Sequence, residues 1–501
     1  MTTEAAAVLA FPLVPLLAAA AALSAQVLAR RDWTKWAVRW AAVAQLGLAV
    51  AMAAAVAGGA PPLRFAVSAM PLSIELAFGA DRLGLCAAYA APLALCIGRV
   101  DQLAKPALRL LLLFYMGGCA GAVVAGDVFN FFVFYEVMTM AAYVLVAARE
   151  RYYAATKYML FGAAGSICLL AGIVLVHGSG AGLSLPYGDA WTAAPSVHRR
   201  WTLHLMAAAF LIKSAFFPCF TWLVSCHVAT VPVVSAFLAS FTAAVGVWGL
   251  EMLVVAPAIR TGEPGPLGWL TAVSAMTMIA PAVVVLLEKN FKRCVAGSTV
   301  VTIGLGGLLL ARGRAGAAMT LVAAHGVVKA LLFHLTADAG ADGLILRARR
   351  STLAALAACA WMASGVAPAA TFFLKAPLRE AGDAWAALST TAALAVAAGF
   401  WKFRWRVDPE APGTALPWAC ALALPAVVAL PARTAAAGAL PAALVEAIAL
   451  SVTALAAARL RQWLEPRDPV GRVHRALNLN VELLLAVLLW LGGMIWIVGL
   501  R

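Results

Sequence analysis

Apolar residues along this chain neither alternate nor keep to one helical face. They run on in long unbroken stretches, separated by short segments of Gly, Pro, Arg and Lys. A helix of about 20 apolar residues crosses the hydrocarbon core of a bilayer, and stretches of that kind recur from one end of the sequence to the other. The pattern predicts spans near 4–29, 38–59, 76–98, 106–126, 128–148, 155–178, 201–224, 228–256, 266–287, 294–311, 316–337, 352–378, 384–401, 415–432, 437–458 and 479–500. The expected fold class is an all-α integral membrane protein of about 14–16 transmembrane helices.

Composition agrees with the pattern. The 501 residues are 64% hydrophobic and 12% charged, with mean hydropathy +0.93, against about 45–50% and 25% in soluble chains. A soluble domain could not hide so much apolar surface. The net charge of +15 is scattered over short loops between apolar runs, which is the mark of a topology signal and speaks against nucleic acid as a partner. Nine cysteines lie mostly alone within apolar runs and form no C-x-x-C pair, so neither an iron–sulfur cluster nor a zinc site is expected. No P-loop or dinucleotide fingerprint occurs. No cofactor, metal site or catalytic residue is therefore assigned to the chain. With Glu4 and no basic residue ahead of its first apolar run, the N-terminus reads as a retained helix rather than a signal peptide.

Loop charges set an orientation. With the N-terminus outside, 24 Lys and Arg fall in inner loops, among them Arg109, Lys157 and Lys402, and ten, including Arg82, fall outside. The bias predicts an even number of spans with both termini on the outer side. Three of the 37 basic residues remain: Lys213, Lys329 and Lys375, all within predicted spans. A charge at mid-membrane costs at least about 2.5–3.5 kcal/mol and marks a functional site by default. Lys213 is followed by Pro218, and Lys375 lies between Pro368 and Pro377, so broken helices could hold both at depth, as in inverted-repeat transporters. Glu136 sits nine residues into its own span and needs a basic partner or a proton; Lys213 is one candidate. His325 and Lys329 are four residues apart, on one helix face. Glu136, Lys213, His325, Lys329 and Lys375 thus make a chain of titratable groups suited to a proton relay. Blander readings stand beside it: Lys213 as a structural ion-pair partner, Lys375 snorkelling to the interface, His325 as a hydrogen-bonded core residue.

Five ordered segments carry a family resemblance over roughly residues 75–430: GDVFNFFVFYEVMTMAAYVLV with RYYAATKYMLFGAAGS behind it, FLIKSAFFPCFTWLVSCHVATVPVVSAFLAS, NFKRCVAGSTVVTIG, HGVVKALLFH and SGVAPAATFFLKAP. The chain resembles the antiporter-like proton-translocating subunits shared by respiratory complex I, membrane-bound hydrogenases and Mrp-type cation/proton antiporters. The resemblance implies two inverted five-helix bundles with broken helices, over 106–256 and 266–402, each holding a half-channel. Helices over 1–105 precede them and helices over 415–501 follow. It also implies that Glu136 and Lys213 form a switchable pair, that Lys329 with His325 passes charge on, and that Lys375 exchanges with the outside. Pro218, His227, Thr242 and Pro368 would support them. Some positions depart from the family: Ala244 stands where a Lys or His is common, Gly297 for Tyr, Asn290 for Asp, Thr371 for Gly and Phe220 for His. Across Ala244 the link between Lys213 and Lys329 would depend on water and on Thr242 or Ser240.

The function so implied is proton or cation/proton translocation by one membrane subunit of a redox-driven, complex I-like or hydrogenase-like NADH/quinone oxidoreductase. Redox chemistry would lie in peripheral partners, beside other hydrophobic subunits in a bacterial inner membrane. The alternative is a subunit of an Mrp-type antiporter for protons and a monovalent cation such as sodium. A third, remote reading is a scaffold that has lost transport, with Ala244 as its best support.

Overall fold

A computed structural model describes residues 3–67, 74–180, 182–185, 194–263, 265–366, 369–380 and 384–411, with positions 413, 417 and 420. The expected spans 415–432, 437–458 and 479–500, and Pro368, lie outside the described residues, single positions apart. Among the described residues, eleven helices are long and apolar enough to cross a membrane, and the protein is an all-α integral membrane protein. They are α1 (Thr3–Leu28), α2 (Thr34–Ala57), α3 (Leu83–Arg99, with a 3₁₀ turn at each end), α4 (Pro106–Val124), α5 (Val128–Ala147), α6 (Tyr152–Gly178), α9 (Pro232–Thr261), α10 (Gly265–Leu287), α11 (Phe291–Ala311), α12 (Ala315–Asp338) and α16 (Ala384–Trp401).

Two further apolar runs among the described residues are interrupted. The first gives α7 (Ser196–Lys213) and α8 (Thr221–Ala229); the second gives α13 (Arg350–Ser364), α14 (Ala370–Leu374) and α15 (Ala376–Glu380). Pro218 explains the first interruption. Its ring denies the helix a donor and pushes the preceding residue out of helical geometry, and the Phe217–Pro218 peptide is cis. The backbone N–H left over at Phe217 donates to Thr277 Oγ1 of α10 at 2.9 Å, which satisfies it where no lipid group could. In the second run Gly365 ends α13 at φ +80°, a left-handed position natural to glycine.

Helix α9 is enclosed on all sides and carries two π-helical turns, Leu238–Thr242 and Glu251–Val255. Such turns interrupt α-helices often at functional positions. Helix α3 is fastened to α12 by a bidentate ion pair, Arg99 to Asp338 at 2.8 and 2.7 Å.

The expected span 76–98 does not form one helix, since it begins in a strand. Leu63–Val67 (β1) and Ile74–Phe78 (β2) pair antiparallel, Leu63 opposite Phe78. Leu76 and Phe78 are buried while Glu75 and Ala77 are half-exposed, a period of two that belongs to a strand. The hairpin continues onto the α4–α5 turn, where Gly126 N–H donates to Glu75 O at 2.7 Å. At the other end of the helices β3 (Gly340–Asp342) and β4 (Ile345–Ala348) pair antiparallel, and β4 pairs parallel with β5 (Arg404–Val407).

Four residues taken as loop charges are buried instead: Arg82, Arg109, Lys157 and Lys402. Three of them face carbonyls near chain turns. Arg82 donates to Val123 O and Ala125 O at the end of α4, Arg109 to Leu103 O and Ala104 O, and Lys402 to Val285 O and Leu286 O at the end of α10. Cations favour helix C-termini because the last carbonyls have no partner in the helix and carry partial negative charge. Part of the loop-charge count therefore reflects helix capping rather than membrane orientation.

Candidate functional site

Lys213 is the last residue of α7, so its ammonium lies where the helix stops. It meets Glu136 of α5: Nζ donates to Oε1 at 2.7 Å. The lysine side chain is 4% exposed and the glutamate 28%. The ammonium also stands 4.1 Å from the centre of the Tyr135 ring, a cation–π distance. Ser166 Oγ, on α6, lies 2.5 Å from Glu136 Oε1 and 2.9 Å from the carbonyl of Gly162. Gly165 makes the room: a Cβ there would stand 2.7 Å from Lys213 Cγ. Three helices thus converge on one ion pair. Beside it lies a cavity, large enough for about one water, lined by Tyr135, Thr139, Tyr158, Lys213, Trp222 and Thr242.

Thr242 closes the π turn of α9, and its Oγ1 is 2.7 Å from Tyr115 Oη of α4. Ser240 does not face the same way; it donates to Gly326 O of α12 at 2.8 Å. A second water-sized cavity lies past Thr242, lined by Ala243, Ala244, Val247, Thr302, Val322 and His325 among others. His325 hydrogen-bonds the backbone of Ala239. One turn on, Lys329 is fully buried and donates to Val295 O at 3.0 Å and to Ser298 Oγ at 2.5 Å, both on α11. No carboxylate is paired with it among the described residues. His227, near the end of α8, stacks on Phe333 of α12 at 4.4 Å.

Lys375 follows α14, in the second interruption, and is 1% exposed. It is therefore held inside the protein and does not snorkel. The five relay candidates are not gathered in one pocket. They are spread over several elements: Glu136 on α5, Lys213 on α7, His325 and Lys329 on α12, and Lys375 at the α14–α15 break.

Two of the departures from the family pattern have local explanations. Asn290 caps α11, its Oδ1 accepting from Arg293 N–H at 3.1 Å, which an aspartate would also do. At Gly297 a Cβ would meet Val285 at 2.5 Å, so helix packing there excludes a tyrosine. Ala244 lines the second cavity without a polar atom. Nothing in the structure explains Phe220.

Sequence reasoning missed Ser166, Tyr135 and Ser298, which touch Glu136, Lys213 and Lys329, and Tyr115, which touches Thr242. The available signal was weak. Ser166 sits in FGAAGS and Ser298 in CVAGST, small-residue runs that mark close helix contacts but not what they face.

Residues 125–393 match the family described as NADH:quinone oxidoreductase/Mrp antiporter, TM. Among curated proteins, the chain is similar to the NAD(P)H-quinone oxidoreductase chain 4 1 of Synechococcus sp. (strain JA-3-3Ab), 30% identical over 267 residues, 49% of this chain and 50% of that protein. It is also similar to NADH-quinone oxidoreductase subunit N of Desulforudis audaxviator (strain MP104C), 27% identical over 287 residues, 53% of this chain and 56% of that one. The chain spans about half the length of the curated relatives it matches. The fold is that of a chain in the membrane-bound sulfane sulfur reductase, an archaeal respiratory membrane complex, with TM-score 0.74 and 18% identity over 92% of this chain and 99% of that one. A chain of the Mrp complex from Dietzia sp. DQ12-45-1b gives TM-score 0.71 and 20% identity over 96% and 100%.

Proposed function

The chain belongs to the NADH:quinone oxidoreductase/Mrp antiporter transmembrane family, and from that premise we propose that it is a proton-translocating membrane subunit of a redox-driven, complex I-like or hydrogenase-like assembly. The observation that carries the proposal is the Glu136–Lys213 pair at a helix interruption. A buried ion pair is costly to assemble and adds little net stability. Placed where a helix has already let go of its own backbone, it suits a switch whose partners can separate.

When Glu136 moves off, Lys213 loses the neighbour that favours its charged form and gives up its proton. The nearest polar groups onward are the water-sized cavity and the Thr242 and Tyr115 hydroxyls. Beyond Ala244, His325 and Lys329 would take the proton, and Lys375 would exchange it with the other side. Lys329, held by neutral oxygens alone, suits a group that alternates between charged and neutral.

Residues 106–256 and 266–402 serve as two bundles of five crossings, each with its fourth crossing interrupted. Five is odd, so the second bundle begins on the opposite side and is inverted relative to the first. Helices over 1–105 precede them. The protein resides in a bacterial inner membrane with both termini outside, next to hydrophobic and peripheral redox subunits. The second reading, a subunit of a monovalent cation/proton antiporter, is favoured by the likeness to the Mrp-complex chain over nearly the whole length.

The test is proton translocation by the assembled complex in proteoliposomes. Lys213→Ala and Glu136→Ala are each expected to abolish or strongly reduce it while assembly persists. Normal pumping by both variants overturns the relay. A Lys375→Ala variant with full activity removes Lys375 from the pathway.

A further inference from the structure

Among the described residues, helices α1 and α2 are the least covered spans. Trp33, just before α2, and Trp36 and Trp40 on it are 54%, 59% and 68% exposed, and the four-residue spacing puts Trp36 and Trp40 on one face. The stripe continues down the helix through Val43 and Val50, both exposed.

Charges surround the end of this stripe, and the acids there are already engaged. Asp32 Oδ2 accepts from Arg109 at 2.9 Å, and its Oδ1 from Thr34. Asp101 takes Lys35 at 2.5 Å and Arg39 at 3.1 Å. Arg109 also donates to Leu103 O and Ala104 O, so it joins the α1–α2 loop to the loop before α4. Arg30 and Arg31 on the first loop and Lys105 on the second are exposed, and among the described residues none of the three has a carboxylate partner. Arg30 is held at φ +52°, a left-handed backbone rare outside glycine, asparagine and aspartate.

Three unpaired cations on two joined loops, above a lipid-facing row of tryptophans, fit one ligand class. We propose that this surface binds an anionic phospholipid, with the headgroup phosphate against Arg30, Arg31 and Lys105 and an acyl chain along Trp36, Trp40, Val43 and Val50. Tryptophan prefers the depth of the headgroup boundary, and basic residues there attract anionic lipid. The inference is independent of what the subunit transports.

The experiment measures lipid binding to the purified, delipidated complex by native mass spectrometry, with phosphatidylglycerol, phosphatidylethanolamine and inorganic phosphate as probes. The wild type is expected to prefer phosphatidylglycerol. Arg30→Gln/Arg31→Gln/Lys105→Gln is expected to bind it roughly 100-fold more weakly, about fivefold per charge removed, with phosphatidylethanolamine unaffected. Lys35→Gln, whose charge Asp101 already answers, is expected to change little. Three results overturn the proposal: unchanged phosphatidylglycerol binding by the triple variant, an equal loss in Lys35→Gln, or inorganic phosphate binding as tightly as the lipid. Loss of a protein subunit from the triple variant with lipid binding intact assigns the surface to a protein partner and overturns it too. All the substituted side chains lie outside the core, and unchanged lipid-free melting of each variant checks that the fold is kept.

Discussion

Lys213 is held by two kinds of contact, an ion pair to Glu136 at 2.7 Å and the face of Tyr135 at 4.1 Å. Removing one partner of a fully buried pair costs about 3–5 kcal/mol. Glu136 keeps 28% of its side chain exposed, so the cost here should fall below that range. Glu136→Gln and Lys213→Met are each expected to destabilise the protein, and the double variant to lose less than the sum, with a coupling of about 1–3 kcal/mol. Denaturation of all four proteins in one detergent measures it. Additive losses would mean that the pair does not act as a unit. Ser166 belongs to the same group of contacts, and a hydrogen bond to a charged group contributes about 1.5–3 kcal/mol. Ser166→Ala should therefore reduce the coupling in the same cycle, whereas Ser166→Thr, which keeps the hydroxyl, should retain it.

The elements around the pair were legible to different degrees. Long apolar helices announce themselves by composition, and Pro218 marks the first interruption because proline cannot continue a helix. The β1–β2 hairpin was hidden because only the short Gly79–Arg82 turn, with Asp81 and Arg82, separates strand from helix, too short a gap for hydropathy to resolve. The π turns of α9 were hidden for a different reason: they arise from packing between α9 and its neighbours, and no residue in LASFT demands one. Lys213 and Glu136 were legible as a pair because each alone would be costly in lipid, whereas Ser166 and Tyr115 are ordinary in any sequence. Asp127 links hairpin and helix. Its carboxylate caps α5, accepting from Asn130 N–H at 2.6 Å, and also accepts the Glu75 N–H of β2 at 3.0 Å. Burial raises its pKa above the usual 3.8, against the lowering effect of those backbone donors. The native state then holds the proton more tightly than the unfolded chain, so stability falls as pH rises through the window just above 3.8 and the deficit persists at neutral pH. Asp127→Asn keeps an acceptor and removes the charge. It is expected to match or exceed wild-type stability at neutral pH and to flatten the acid-side slope, while Asp127→Ala loses the cap and about 1 kcal/mol. Melting curves from pH 4 to 7 separate the two effects. A steeper slope in Asp127→Asn would contradict the assignment.

For the whole molecule the decisive stretch is where one half hands over to the other. In the proposed relay the first half ends its polar groups at Thr242 and Tyr115, and the second begins at His325. Between them stands Ala244, on the enclosed helix α9, facing a cavity whose walls are apolar apart from Thr302 and His325. A protein that moves charge through this gap needs water there at the moment of transfer, since no side chain spans it. A protein that has lost transport has no such need. The two cases predict opposite responses to filling the cavity. Ala244→Val occupies space sized for about one water and adds no polar atom. If the gap conducts, the rate of translocation should fall roughly tenfold, a barrier increase of about 1.4 kcal/mol, with the Glu136–Lys213 coupling unchanged because neither residue lines the cavity being filled. Ala244→Ser, which adds a hydroxyl at nearly the same volume, should keep or raise the rate. Equal rates in wild type, Ala244→Val and Ala244→Ser would mean that the halves do not communicate through this point. Protons would then cross each bundle separately, or only one bundle would carry them.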